Sequence, residues 1–276
     1  MNERLLEFVA AHPDLLVLTG AGLSTASGIG DYRGEDGAWK RRPPIELRDF
    51  LRSDHARRRY WSRSMIGWPH FAAAQPNAGH AALARLDRGD RLTGTVTQNV
   101  DGLHARAGHR ELVELHGRLA DVHCLQCTAR YPRASVQTWL ADANPTFAAR
   151  GVELLADGDA ELADDDLGAF RVADCPTCGG LLKPGVVFFG ESVPGVVVER
   201  ALALLERASA LLLVGTSVMV YSGYRFCRAA QAQQKPIVSI NRGVTRADAL
   251  LQFKVEDDCA SVLARLAEAM DLCFDP

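Results

Sequence analysis

Short apolar runs alternate with amphipathic stretches along most of the chain, and this alternation restricts the fold more than any other feature of the sequence. Strands that alternate with helices form a mostly parallel sheet with helices on both faces, so we predict an α/β fold built on a doubly wound parallel sheet. The strands are predicted at 14–18, 92–97, 111–115, 210–214, 236–240 and 252–255, and the helices at 2–11, 77–86, 196–208, 222–233 and 259–270.

The composition is typical of a globular protein without a nucleic-acid-binding surface. The chain has 276 residues, of which 47% are hydrophobic and 24% charged, and its net charge is −3. This length favours one large domain with a lesser module, and the charge gives no reason to expect a nucleic-acid partner. No apolar run approaches the ~18 residues that a membrane helix needs, and the N-terminus lacks the apolar region of a signal peptide. We therefore expect a cytoplasmic protein, and the scarcity of lysine among the basic residues suggests a bacterial, GC-rich coding sequence.

Polar residues follow two of the predicted strands. Gln98, Asn99 and Asp101 come after the strand at 92–97, and His116 comes after the strand at 111–115. Buried polar groups are costly unless they are paired, and open α/β sheets place their sites at the carboxyl ends of strands. We predict the floor of an active site here, with His116 as its base, because a near-neutral histidine accepts protons at physiological pH. A histidine that only packs at a strand end is the alternative.

A glycine-rich turn, GAGLSTASGIG at 20–30, follows the first strand. Glycine lets backbone N–H groups approach an anion, so the turn suits a phosphate, although a simple tight turn is the alternative. The dinucleotide fingerprint is incomplete, because Thr25 stands at its third glycine and no strand ending in an acidic residue follows at 40–50. This argues against a hydride-transfer dehydrogenase and for a nucleotide held differently. Small or polar residues after later strands, at 214–217, 240–243 and 258–259, support a nucleotide along the sheet edge.

Two CxxC pairs lie within the segment 121–183, which we predict to be a separate module. With no secretory signal, such pairs indicate a metal or redox site rather than a disulfide framework. Two matched pairs favour structural zinc over redox chemistry, because four thiolates give the closed tetrahedral set that Zn²⁺ prefers. The acidic stretch at 153–166 is predicted to be a solvated loop. The predicted zinc ligands are Cys124, Cys127, Cys175 and Cys178.

Taken together, these motifs resemble the sirtuins, a family of NAD-dependent protein deacylases. Four stretches at 42–45, 59–63, 67–71 and 220–226 further resemble the class II branch, the branch of the mitochondrial lipoamidase and ADP-ribosyltransferase type. Gly30 and Tyr32 depart from the proline and phenylalanine of the family pattern. The resemblance rests on GAGLSTASGIGDYRG (20–34), TQNVDGLH (97–104), ELHG (114–117), the two CxxC pairs, KPGVVFFGE (183–191), GTS (215–217) and IN (240–241).

The resemblance implies a Rossmann-like doubly wound parallel sheet with a smaller zinc-binding module inserted. It assigns residues 1–34, 85–120 and 184–276 to the Rossmann-like NAD-binding domain, 35–84 to the helical part of the small domain, and 121–183 to its zinc-binding module. It also implies NAD as co-substrate, structural Zn²⁺, and an acyl-lysine protein or peptide as substrate, with neither a membrane nor a nucleic acid as partner.

The implied reaction releases nicotinamide and captures the anomeric carbon of the ribose with the acyl oxygen. A proton then passes from a ribose hydroxyl to His116, and the products are deacylated lysine and O-acyl-ADP-ribose. Mono-ADP-ribosyl transfer at the same NAD site is the alternative activity, and a non-catalytic NAD sensor is disfavoured by the intact polar residues. The catalytic residues would be His116 and Asn99. The cofactor-binding residues would be Gly20, Ala21, Gly22, Ser24, Asp31, Tyr32, Arg33, Gln98, Asp101, Gly215, Thr216, Ser217, Asn241, Arg242, Gly243 and Cys259.

The substrate would be held as an added strand, and its acyl group would meet Tyr60 and Arg63. These two side chains are three residues apart and would share a helical face, which resembles the pattern of members that prefer succinyl- or glutaryl-lysine. The alternative is that Tyr60 packs while Arg63 is a surface charge or an ion-pair partner. His80 and His104 are expected to be structural. The substrate residues would be Val187, Phe188, Gly190, Val218, Val220, Tyr60 and Arg63.

Overall fold

The computed structural model describes residues 2–40, 44–148 and 164–274. Within these ranges, one sheet of six strands has the order β3-β2-β1-β7-β8-β9, and a second sheet of three strands has the order β5-β4-β6. The strands are β1 (Leu15–Thr19), β2 (Leu92–Thr97), β3 (Leu112–Glu114), β4 (Gly117–Cys124), β5 (Arg130–Pro132), β6 (Leu182–Val186), β7 (Ala210–Val214), β8 (Ile237–Ile240) and β9 (Phe253–Val255).

Every neighbouring pair in the large sheet is parallel, which confirms the predicted doubly wound α/β fold. The helices are α1 (Glu3–Ala11), α2 (Ala21–Ser24), α3 (Leu47–Arg52), α4 (Asp54–Ala73), α5 (Ala78–Arg88), α6 (Leu103–Ala107), α7 (Arg133–Ala143), α8 (Pro145–Ala148), α9 (Gly195–Arg207), α10 (Tyr221–Ala232) and α11 (Cys259–Phe274). Among the described residues, none of the helices combines the length and the apolar character needed to cross a bilayer.

The large sheet is buried on both faces, as a parallel sheet covered by helices requires. Strand β1 alternates between the two sides: Leu15 and Val17 belong to the core shared with α1, α5 and α11, whereas Leu16 and Leu18 belong to the core shared with α9 and α10. A helix boundary is set locally on the first side, where the Asn77 side chain caps α5 and His80 returns the contact through its ring. Helix α5 spans the boundary predicted between residues 84 and 85, and it packs on α11.

The smaller sheet is antiparallel and shares a core with helices α3, α4 and α7. Phe50 and Trp61 from the helices pack with Val122 and Leu182 from the strands, and all four are buried. Strand β4 begins at Gly117, four residues before the module boundary predicted at 121. The acidic loop predicted at 153–166 lies outside the described residues, except for the start of a 3₁₀ turn at Asp164–Ala169. The cleft described next runs between this smaller core and the edge of the large sheet.

Candidate active site

A cleft of about 910 Å³ lies where the carboxyl ends of β1, β2 and β7 face α4 and β6. It brings together residues that are far apart in the chain, as expected for a site at the carboxyl edge of an open α/β sheet. Most of the residues predicted for catalysis, cofactor and substrate line this one cleft. They are Gly20, Ala21, Gly22, Ser24, Asp31, Tyr32, Arg33, Tyr60, Arg63, Gln98, Asn99, Asp101, His116, Val187, Phe188, Gly215, Thr216, Ser217, Val218, Val220 and Asn241.

The glycine-rich turn after β1 packs directly against the turn after β7. The Gly22 N–H donates to the Gly215 carbonyl at 2.9 Å. A Cβ atom at Gly20 would lie 2.7 Å from the Thr216 side chain, and one at Gly22 would lie 2.9 Å from the Gly215 carbonyl oxygen. The glycines are therefore required by the close approach of two backbones at the edge of the cleft.

Asn99, Ser24 and Asp101 form one hydrogen-bonded set at the cleft floor. The Asn99 side-chain amide donates to the Gly20 carbonyl at 3.0 Å and to the Ser24 hydroxyl at 3.1 Å. Ser24 in turn donates to Asp101 at 2.6 Å, and the other carboxylate oxygen of Asp101 accepts the Leu103 N–H at 2.8 Å. Burial raises the pKa of Asp101, while these hydrogen bonds oppose the effect. The polar groups at this strand end are paired, as burial demands.

His116 is held at both ring nitrogens. Its Nδ1 atom lies 2.9 Å from the Gln98 carbonyl oxygen, and its Nε2 atom lies 2.9 Å from the Ser222 hydroxyl. Burial lowers the pKa of His116, and the positive charge of Arg225 acts in the same direction against the opposing hydrogen bond to Gln98. His116 is thus a neutral imidazole near pH 7, which is the form that a general base needs.

Beneath the cleft floor lies a chain of buried histidine and threonine side chains that sequence patterns did not indicate. His109 contacts His104 at 3.1 Å, His104 contacts the Thr19 hydroxyl at 2.9 Å, and Thr19 donates to Thr97 at 2.8 Å. The Thr97 hydroxyl then accepts the Asn99 backbone N–H at 3.1 Å. Burial, with charge repulsion among the rings, lowers the pKa of His104 well below its usual value. His104 therefore supports Asn99 from behind and lies outside the lining of the cleft.

His80 packs edge-on against His104, with ring centroids 4.8 Å apart. Burial, aided by the charges of His109 and Arg106, lowers its pKa to about 4. Its Nδ1 atom faces the Asn77 N–H at 3.4 Å as part of the helix cap, and its Nε2 atom is buried without a hydrogen-bond partner in the described residues. His80 thus has the capping and packing contacts of a structural residue.

Four of the residues predicted for the cofactor or the substrate do not line the cleft: Arg242, Gly243, Cys259 and Gly190. Cys259 is buried at the start of α11, and its thiol donates to the Gly22 carbonyl at 3.3 Å. Burial raises the pKa of this thiol to about 11, so it remains protonated and ties α11 to the glycine-rich turn. Arg242 lies 3.8 Å from Asp257 as an ion pair.

Gly243 meets the loop that begins at Asp31. A Cβ atom there would collide with the backbone of Glu35, and the backbone has φ +78°, which also favours glycine. The next residue, Val244, donates its N–H to the Glu35 carbonyl at 2.7 Å. The same loop is braced internally, since the Arg33 guanidinium stacks over Trp39 at 4.0 Å. The loop is therefore docked onto the turn after β8 by main-chain contacts.

The opposite end of the cleft is aromatic. Phe188 packs edge-on against Phe50 with centroids 5.1 Å apart and lies 5.2 Å from Tyr60. Lys183 organises the turn that carries Phe188: its ammonium is 2.9 Å from Glu191, donates to the Val186 carbonyl at 2.6 Å and lies over the Phe188 ring. Tyr60 and Arg63 both face this end from α4, together with Arg59.

Arg133 lies behind this aromatic end and was not identified from the sequence. It is 1% exposed and donates to both the backbone carbonyl and the hydroxyl of Ser64, each at 3.0 Å. Its guanidinium also contacts Gln137 at 2.8 Å and lies near the rings of Trp61 and Trp68. Burial lowers the pKa of Arg133 to about 10, so the group remains cationic at neutral pH. Its hydrogen-bond partners in the described ranges, Ser64 and Gln137, are neutral, so Arg133 places a buried positive charge behind the cleft wall.

The four cysteines of the CxxC pairs converge at one point on the small sheet. Their sulfur atoms all lie within 4.8 Å of one another, and those of Cys124 and Cys178 are 3.5 Å apart. A tetrahedral zinc ion bound at ~2.3 Å would set its sulfurs ~3.8 Å apart, so the cluster fits the ion. Although burial opposes its ionisation, hydrogen bonds from Tyr131 and from two backbone amides lower the pKa of Cys175 to about 6. All four positions are occupied by protein sulfur, which indicates a structural rather than a catalytic site.

Comparisons with known proteins agree with this geometry. The Sir2 family model matches residues 20–222. The chain is 51% identical over 265 residues to "NAD-dependent protein deacetylase 2" of Bradyrhizobium diazoefficiens, covering 96% of this chain and 97% of that protein. It is 53% identical over 264 residues to "NAD-dependent protein deacetylase" of Bordetella bronchiseptica, covering 96% of both chains. A solved structure described as "Sir2-p53 peptide-NAD+" superposes with a TM-score of 0.75 at 26% identity, covering 99% of each chain.

Proposed function

Because this chain belongs to the Sir2 family and is an NAD-dependent protein deacetylase, we propose that its cleft moves an acyl group from lysine to ADP-ribose with His116 as the base. The products are nicotinamide, deacylated lysine and O-acyl-ADP-ribose. The proposal rests mainly on one observation: neutral His116 is hydrogen-bonded at both ring nitrogens, and it lies in the same cleft as Asn99.

NAD would supply a ribose carbon with nicotinamide as its leaving group. The backbone of the turn at Gly20–Gly22 would face the phosphates, because the turn lines the cleft and its two glycines carry no side chain that would keep an anion away. Asn99 and Asp101 would orient the nicotinamide end through the hydrogen-bonded set that also contains Ser24. Nε2 of His116 would accept the proton of a ribose hydroxyl, since Nδ1 already donates to the Gln98 carbonyl.

The substrate peptide would lie between the turn at 187–190 and the segment at 218–220. Val187 and Val220 line the cleft from its two sides, and a strand added between them would direct an acyl-lysine side chain inward. The solved relative whose description names a peptide and NAD supports a peptide as the substrate. We infer that the substrate is an acyl-lysine side chain of a protein or peptide.

We further propose that the aromatic end prefers an acidic acyl chain of the glutaryl type. Arg63 and Tyr60 face the cleft together, and a guanidinium can bind a carboxylate through two parallel hydrogen bonds. Arg59 adds a second cation on the same wall, and the buried Arg133 adds positive potential from behind Ser64. A carboxylate entering this end would therefore meet the guanidinium groups of Arg59 and Arg63, which line the cleft.

The same helix supports assignment to the class II branch, since the stretch RYWSR at 59–63 supplies both acyl-facing side chains. ADP-ribosyl transfer, a cytoplasmic location and the division into three parts with the ranges given above stay predictions. Nicotinamide release that requires an acyl-lysine peptide separates deacylation from transfer to another acceptor.

The test of the proposed function is the variant His116→Ala. Loss of a positioned base lowers a reaction by ~10²-fold or more, so we expect deacylation to fall at least that far while NAD binding stays within a few-fold of wild type. Product formation is measured by mass spectrometry of an acyl-lysine peptide, and NAD binding by calorimetry. Deacylation at the wild-type rate in this variant would remove His116 from its role.

A further inference from the structure

The first turn of α10 faces the candidate base, and one of its side chains contacts it. The Ser222 hydroxyl lies 2.9 Å from Nε2 of His116, the nitrogen that the proposed reaction needs. Ser222 is half-buried and belongs to no predicted set of site residues. The base is therefore not free in the resting enzyme, because its reactive nitrogen already has a hydrogen-bond partner.

The direction of this hydrogen bond follows from the other side of the ring. A backbone carbonyl only accepts, so Nδ1 must carry the proton that it shares with the Gln98 carbonyl at 2.9 Å. Nε2 of the neutral ring then has a lone pair and no proton. The Ser222 hydroxyl must donate to that lone pair, and the two contacts together select the Nδ1–H tautomer and the plane of the ring.

Neighbouring residues on α10 hold Ser222 in this position. Gly223 follows it, and a Cβ atom there would lie 2.4 Å from Oε1 of Gln98, so any larger residue would have to displace the Gln98 side chain next to the base. Arg225, one turn further along, is the charged group that acts on His116, and its positive charge lowers the pKa of the ring. The start of α10 thus acts on His116 in two ways: Ser222 donates a hydrogen bond to it, and Arg225 places a positive charge near it. Gly223 lets this part of the helix lie close to Gln98.

We propose that Ser222 is a positioning residue for deacylation: it holds His116 as the neutral Nδ1–H tautomer until a ribose hydroxyl takes its place at Nε2. This inference rests on the proposed role of His116 as the base. In the exchange, Ser222 keeps its own proton and turns away. The ribose O–H bond then breaks as its proton passes to Nε2, and the oxygen keeps the electron pair with which it attacks the acyl carbon.

A direct test uses the free enzyme, without NAD or peptide. In protein labelled with ¹⁵N-histidine, the His116 signals are assigned by their absence in His116→Ala, and the tautomer of the neutral ring is read from its two ¹⁵N shifts. Wild type should show the Nδ1–H tautomer alone, because the Ser222 hydroxyl donates to Nε2. Loss of this donor in Ser222→Ala should allow a detectable fraction of the Nε2–H tautomer, and Ser222→Thr, which keeps the hydroxyl, should match wild type.

Kinetics give the second readout. We expect Ser222→Ala to lower deacylation about tenfold and to leave nicotinamide exchange, which precedes the action of the base, within about twofold. Ser261→Ala removes a serine hydroxyl from the first turn of α11 and serves as the matched control.

The outcomes separate this inference from the proposed function. An unchanged tautomer of His116 in Ser222→Ala, or equal losses in nicotinamide exchange and deacylation, would overturn the role of Ser222 while a large loss in His116→Ala would leave the base assignment intact. Wild-type deacylation in His116→Ala would overturn both.

Discussion

The two ends of the cleft differ in the kinds of groups that form them. The end at the large sheet consists of backbone turns and small polar side chains, in which Gly22 meets Gly215 and Asn99 bonds to Ser24. The end at the small sheet consists of aromatic side chains, with Phe188 packed on Phe50 and Tyr60. Short, directional hydrogen bonds stabilise the end at the large sheet, whereas the buried contact area between aromatic rings stabilises the end at the small sheet. Substitutions at the polar end should therefore abolish most of its function. Substitutions at the aromatic end should be tolerated and should change which acyl group the enzyme prefers.

Removal of the metal should produce the largest effect, because it dismantles the part of the molecule that carries the aromatic end. Binding energy at a closed four-sulfur site is partly folding energy. We expect elemental analysis to find one Zn²⁺ per chain, and Cys175→Ser to lose most of its soluble protein. Cys227→Ala is the control, since Cys227 is buried in the core of the large sheet and should retain both metal and solubility. A metal-free preparation with full activity would contradict the zinc assignment.

A side chain at Gly22 tests the polar end. Its Cβ would lie 2.9 Å from the Gly215 carbonyl oxygen, so Gly22→Val must separate the two turns that face NAD. We expect NAD binding to weaken ~10²-fold, or about 2.7 kcal/mol, at the upper part of the range for overpacking. Calorimetric titration with NAD measures this. Gly195→Ala, where nothing lies within 4 Å of the added atom, should bind as wild type does. Unchanged affinity in Gly22→Val would mean that the turns do not hold the dinucleotide.

The aromatic end is tested by substrate preference. Under the acidic-pocket proposal, the wild-type enzyme should act faster on glutaryl-lysine than on acetyl-lysine. Arg63→Met should cost about 1.5–3 kcal/mol in kcat/KM on the glutaryl peptide, the scale of a hydrogen bond to a charged group, and little on the acetyl peptide. Arg52→Met, an exposed position on α3, controls for the loss of net charge. Equal losses on both peptides would assign Arg63 to the fold or to the cofactor loop.

The buried histidines beneath the polar end predict how stability depends on pH. His80 has a folded pKa of about 4 and a usual value of 6.5, so the unfolded chain binds more protons between these values. Its contribution to stability is full above pH 6.5 and is lost as the pH falls towards 4. At pH 5.5 the loss from this residue is about 1.4 kcal/mol by proton linkage.

Urea denaturation at pH 7.5 and 5.5 measures this effect. His80→Gln should show a smaller difference between the two pH values than wild type does. His55→Gln, at an exposed position, should show the wild-type difference. An identical pH dependence in His80→Gln would show that His80 does not titrate in this way.

Local patterns predicted the large sheet well because its central strands are short, mostly apolar runs bounded by turn residues. The strands at 92–97 and 210–214 begin and end where the patterns placed them. The polar end was predictable for the same reason: Asn99 and His116 follow strand ends, where a parallel sheet collects polar groups. Their placement in one cleft agrees with that prediction, while their roles stay predictions.

The remaining features depend on contacts between distant segments, which no local pattern records. Strand β4 pairs with β6 across the whole inserted module. Arg133 reads as a surface arginine at the start of α7, yet α4 covers it. Ser222 reads as an ordinary residue in the first turn of a helix, and only the docking of α10 on Gln98 brings it to His116.

The contact between Glu35 and the turn at Gly243 has an evolutionary consequence. Only main-chain atoms of the loop take part, through the Glu35 carbonyl and the Val244 N–H. Selection on this contact therefore falls on Gly243, and not on the identity of the loop residue opposite it. Substitutions can accumulate along the loop tip while its anchorage is inherited unchanged, so relatives with divergent tips can still keep the same docked position.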